Sequence, residues 1–356
     1  MKNYFKSILG LAVFCSAAYF NHAVAHTTQI DEICAKYCAI DPAPEPEPEP
    51  THKPHPSGNY VSASSSTATK EAVDPALVNL DFVDGTLVRV LWSLVNTGDG
   101  VYDWTIIDRE LAAAKASNSF IALAIPDSKS MPQFVLDSCK TFDYEFRKDT
   151  VQTCLPWDTD YLSAKDKFVS ALGDRYDDDE NVSGVYFSYA AMGNGLEMHW
   201  RVDENDFTDA GYDPELLNLA YQSVFDSYAD AFKKTSIIME VHEVFNSPAL
   251  AINAYDYCYG RIGERCGVAA WWCASRMVTD SNSSEFGVSP VVLLAAEKSF
   301  AVCQTIGNFT DQPDRFGSGT SEQMAESEMQ FWKSKGNVSF ELWPKDIKNG
   351  NLTAYF

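Results

Sequence analysis

Basic side chains are scarce in this 356-residue chain: 27 lysines and arginines stand against 50 aspartates and glutamates, a formal charge of −23. Phosphate binding needs a basic footprint, so nucleic acid is not an expected partner, and polyanionic glycans are disfavoured unless a local basic cleft overrides the average. Long apolar runs are scarce as well. The stretch from Ile8 to Phe20 is interrupted by Asn21 and His22, short of the about 20 residues a membrane-crossing helix needs. No Gly-rich loop opens a helical segment, which removes the dinucleotide-binding signature, and no His pair follows cysteines at finger spacing. Neither a metal nor a cofactor is expected.

What is present begins with an export signal. Two lysines, the apolar stretch and Ala23-Val24-Ala25 read as a secretory signal peptide over residues 1–25, cleaved after Ala25 into a secreted or periplasmic protein. Cysteines fit that compartment. Beyond Cys15 in the signal there are eight, with Cys139–Cys154 and Cys258–Cys266 as the plausible local pairs. Residues 26–72 read as a short Cys34/Cys38 segment and a linker, Pro- and Glu-rich over DPAPEPEPEPTHKPHPSG and then Ser/Thr-rich.

The remaining residues, 73–356, alternate apolar β-branched runs with helical patterns, the signature of a parallel α/β fold. Eight strands are expected: LVNLDF (77–82), LVRVLW (87–92), FIALAIP (120–126), VSGVYFSY (182–189), SIIMEV (236–241), GVAAWW (267–272), PVVLLAAE (290–297) and VSFEL (338–342). Eight such units in about 280 residues suit a (β/α)8 TIM barrel better than an open sheet that lacks a phosphate loop.

Barrel chemistry gathers at the C-terminal ends of strands, so the carboxylates there matter most. The fourth strand runs into MGNGLEMHW, where two glycines free the backbone to turn and Glu197 follows at the mouth. The seventh expected strand ends in Glu297. Two strand-end carboxylates are the parts of a glycosidase, one to protonate the leaving oxygen and one to attack the anomeric carbon. Glu240, Glu243 and Glu341 are the rivals. Arg89, on an otherwise apolar strand, calls for a carboxylate partner. Sugar rings present apolar faces and polar rims, so Trp343 and Trp272, then Trp200, are candidate platforms. Trp271 and Trp92 read as core. Asn194 is a candidate substrate-binding group, and His199 and His242, near the same strand ends, are candidates to bind hydroxyls or to tune the carboxylates.

LVRVLWSLVNTGDGVYDWTIIDREL, LGDRYDDDENVSGVYFS and FELWPKD resemble the second strand, the approach to the acid/base and the eighth strand of clan A glycoside hydrolases related to the beta-galactosidase-like barrels. In that family an Asn precedes the acid/base; here Leu196 does. The resemblance implies a retaining glycosidase with Glu197 as acid/base, Glu297 as nucleophile and Arg89 keeping the nucleophile ionised. The expectation is thus a secreted retaining hydrolase acting on a poly- or oligosaccharide. The competing reading is a barrel that binds glycan, or serves surface assembly, without cleavage.

Overall fold

The computed structural model describes residues 52–62, 72–200, 202–336 and 338–352. Eight parallel strands close on themselves: β1 Asn59–Ser62, β2 Gly85–Arg89, β3 Phe120–Ala124, β4 Val182–Phe187, β5 Ser236–Glu240, β6 Cys266–Cys273, β7 Phe300–Thr305 and β8 Val338–Leu342. The ring shuts at β1, where Tyr60 aligns with Gly85 of β2 on one side and with Glu341 of β8 on the other. This is the expected (β/α)8 barrel.

Helices α1 Thr105–Ser117, α2 Thr159–Tyr176, α3 Pro214–Ala231, α4 Ala249–Ile262, α5 Ser289–Lys298 and α6 Ser321–Lys333 lie outside it. Their starts follow local chemistry. Asp158 and Asp213 accept the first free backbone N–H groups of α2 and α3, and Pro214 opens α3 where its missing N–H costs nothing. Thr320 and Gln323 cap each other's backbone at α6.

Side chains alternate along each strand, so every second residue enters the barrel. Tyr60, Leu87, Ala122, Tyr186, Ile238, Ala269, Trp271 and Val302 fill the interior, with Leu196 packed on them. Their outward neighbours, such as Val88, Leu123, Val185, Ile237 and Trp272, pack with the helices.

Two segments differ from expectation. The first strand is Asn59–Ser62, so the barrel takes residues from what reads as linker and begins ahead of residue 73; LVNLDF instead starts in the last two residues of the short helix Pro75–Val78 and continues as a turn. The segment PVVLLAAE is not a strand but most of α5, opened by Pro290, and the true seventh strand is the following FAVCQT.

Disulfides join Cys139–Cys154 and Cys258–Cys266, as expected, and also Cys273–Cys303. The signal peptide and Cys34/Cys38 lie outside the described residues. Among the described residues no helix is long and apolar enough to cross a membrane.

Candidate active site

The loop after β4 explains the second glycine of MGNGLEMHW. Gly195 has φ +90°, and a Cβ there would lie 2.6 Å from the backbone oxygen of Asp127. Its carbonyl accepts the Asp127 N–H at 2.7 Å and the Ser188 hydroxyl at 3.1 Å. Asp127 is itself immobile: fully buried, it pairs with Lys165 Nζ at 2.9 Å and accepts the Tyr161 hydroxyl at 2.7 Å. Asn194 Oδ1 accepts the N–H groups of Leu196 and Glu197, both at 3.0 Å, so Asn194 shapes the turn that presents Glu197. The Glu197 side chain keeps a quarter of its surface exposed.

Beneath it lies Glu240, at the end of β5, with no exposed side-chain surface. Its oxygens accept Met198 N–H at 2.9 Å and Trp271 N–H at 3.4 Å. His242 follows on the same segment. Its Nε2 lies 3.1 Å from Glu240 Oε1 and 4.0 Å from Glu197 Oε1, and its Nδ1 lies 3.0 Å from Glu285 Oε1. His199 stacks on His242, ring centroids 4.8 Å apart. Burial pushes Glu240 up to about 7, against the pull of His242. Burial alone would lower His242, but Glu240 and Glu285 outweigh it and hold the imidazole well above its ordinary range. Glu285, although desolvated, is held low by His242. The ligand atoms of Glu197, Glu240 and His242 all fall within 4.8 Å of one another, a set able to hold a metal ion where none was expected.

A second network lines the other side of the interior. Glu341 on β8 accepts the Tyr186 hydroxyl, and Gln304 Nε2 at 2.9 Å. Gln304 also donates to Ser62 Oγ at 3.1 Å, and Arg89 Nη2 donates to the same hydroxyl at 3.0 Å. The Arg89 guanidinium stacks 4.2 Å above the Trp271 ring. Burial lowers the Arg89 pKa, opposed chiefly by Glu341 and more weakly by Glu197. Burial also lifts Glu341 to about 6, opposed first by Arg89.

Of the residues singled out in the sequence, Glu197, Asn194, His199 and His242 meet around one loop, and Arg89 faces Glu341. Glu297 does not join them. It lies exposed near the end of α5, three residues ahead of β7 and therefore toward the opposite end of the barrel from the mouth. The inward residue near the end of β7 is Gln304. Trp272 is corrected too: it packs in the outer layer and donates from Nε1 to Val241 O at 2.7 Å, while Trp271 enters the barrel. Trp343 keeps a partly open ring at the end of β8, its Nε1 donating to Thr305 O at 2.9 Å, and Trp200 is core among Phe207, Tyr212 and Phe245. Glu285 and Gln304 were not visible as site residues in the sequence. Glu285 sits in a loop without periodicity, but the repeated Glu-x-His of 197–199 and 240–242 was a readable signal for the cluster.

No family model matches the chain, and no curated protein sequence does. Solved structures do. The catalytic domain of beta-amylase from Paenibacillus polymyxa matches with TM-score 0.54 at 10% identity, over 86% of this chain and 99% of that one. The barrel fold is shared. Endo-glycoceramidase II from a Rhodococcus species (TM-score 0.48, 13% identity, 82% of this chain and 75% of that one) and an intracellular xylanase from Thermoanaerobacterium saccharolyticum (0.46, 10%, 81% and 85%) are more distant matches.

Proposed function

We propose that the chain is an exported retaining glycosidase acting on a poly- or oligosaccharide, with Glu197 as acid/base and Glu341, in place of Glu297, as nucleophile. One observation carries the reading: Glu197 is a partly open carboxylate whose backbone is tied at the mouth by Asn194, while on the eighth strand Glu341 is fixed by Tyr186 and Gln304 with Arg89 as the cation that acts on it most strongly. In the first step Glu341 attacks the anomeric carbon as the C–O bond breaks and the Glu197 proton passes to the leaving oxygen. In the second, Glu197 takes a proton from water, which attacks the same carbon and releases Glu341. Tyr186 and Gln304 hold Glu341 in one orientation, and Trp343 offers an apolar ring at the rim for a sugar face. Three disulfides support export, since such bonds persist in oxidising compartments.

The test is a screen of aryl glycosides and of plant and algal polysaccharides with the full chain and with Glu197→Gln. Turnover by the parent, lost in the variant on substrates with poor leaving groups, supports the proposal. Glycan binding without any turnover favours the non-catalytic barrel, for which the buried state of Glu341 is the favouring observation.

A further inference from the structure

The cluster around His242 holds more than an acid/base needs. Two Glu-x-His segments, Glu197-Met198-His199 after β4 and Glu240-Val241-His242 at the end of β5, converge, and a third carboxylate, Glu285, arrives from the loop before α5. His242 is only 5% exposed, yet neither ring nitrogen makes a directed hydrogen bond. Carboxylate oxygens do stand 3.1 Å from Nε2 and 3.0 Å from Nδ1. At those distances the missing hydrogen bonds mean that the oxygens lie off the N–H directions. Nε2 thus faces the carboxylates of Glu240 and Glu197, and the three groups offer one ligand atom each within 4.8 Å of one another, the grouping a metal site needs.

We propose that Glu197, Glu240 and His242 form a site for one divalent cation of the zinc class. Zinc takes carboxylate oxygen and imidazole nitrogen at about 2.0–2.2 Å, which sets ligand atoms roughly 3.3–3.6 Å apart in a tetrahedron. The separations of 3.1 Å and 4.0 Å from Nε2 bracket that range, so movement of the partly open Glu197 side chain completes the set. Glu240 is already fixed by the Met198 and Trp271 N–H groups. Glu285 at Nδ1 supplies the carboxylate that orients a ligating histidine from behind, an arrangement in which the outer carboxylate is worth about 10–100-fold in affinity. A mixed oxygen and nitrogen donor set with no thiolate suits zinc over calcium or magnesium, which favour all-oxygen shells. The binding claim stands without the glycosidase reading. Its consequence for turnover rests on that reading, because a cation on Glu197 occupies the oxygen that must carry the proton, so zinc inhibits.

The full chain is stripped with chelator and dialysed against zinc, bound metal is counted per chain, and cobalt is substituted to read its visible absorption. Near-UV circular dichroism confirms folding of each variant. One zinc per chain is expected, weakened more than tenfold in His242→Gln and in Glu240→Gln, and about tenfold in Glu285→Gln, with a four-coordinate cobalt spectrum in the parent and in Glu285→Gln but in neither ligand variant. Binding of no zinc, or equal binding in folded His242→Gln, overturns the site; the Glu285→Gln variant, which leaves the three ligands in place, keeps the test open if His242→Gln does not fold. Stoichiometric zinc with unchanged turnover supports the site and counts against Glu197 as the acid.

Discussion

Glu240 Oε2 accepts the backbone N–H of Met198 at 2.9 Å, tying the fifth strand to the residue that follows Glu197. Glu240→Ala therefore removes the tether of the acid and leaves His242 and the Met198 N–H without that partner. A buried ion pair broken on one side costs about 3 kcal/mol or more, and kcat should fall with stability. Glu240→Gln, whose amide oxygen can still accept from Met198, should lose less of both. Denaturant unfolding and initial rates on the two variants check this; equal behaviour contradicts the tether.

Gly195 lies where a side chain cannot. With φ at +90° and a Cβ meeting Asp127 O at 2.6 Å, Gly195→Ala should destabilise by about 3 kcal/mol and displace Glu197. A variant with parent stability in urea would show that the two loops separate freely.

Burial sets Glu341 at about 6, against an ordinary 4.5. A nucleophile must be ionised, so the acidic limb of kcat/KM should rise with pH through about 6. Arg89→Ala, which removes the opposing cation, should move that limb to higher pH. Stability runs the other way. A carboxyl raised on folding contributes stability that is present below its unfolded value and lost as pH rises through about 6, roughly 2 kcal/mol for this shift. Glu341→Gln should remove that loss, which urea titrations at pH 4 and pH 8 would read as a flatter profile than the parent's.

The disulfide Cys139–Cys154 closes the hairpin of Thr141–Phe146 and Asp149–Cys154. Replacing both cysteines by serine frees a loop of 15 residues and should cost about 3 kcal/mol, measured as a lowered Tm.

Six strands were legible because runs such as SIIMEV and VSGVYFSY are apolar, β-branched or aromatic, and flanked by turns. PVVLLAAE misled because a short helix that is buried along most of its length is as apolar as a strand; Pro290 at its start and the alanines at its end were the helical signs. The nucleophile assignment fell with it. Asn59–Ser62 was hidden by the prolines and polar residues around it. For Trp271 and Trp272 the alternation rule required one inward ring but could not choose between them, since one residue of register exchanges the faces. The turn at Glu197 was readable from its glycines, whereas Gln304 and Glu285 became functional only when folding brought distant segments together.

The account rests on two glutamates with separate roles, and azide separates them. Glu341→Ala should abolish turnover of an activated aryl glycoside and regain it with azide, giving a glycosyl azide of inverted configuration. Glu197→Ala should retain activity on the same good leaving group and give an azide product of retained configuration, while Glu297→Ala should behave as the parent. Loss of activity in Glu297→Ala with parent-like rates in Glu341→Ala would contradict the assignment.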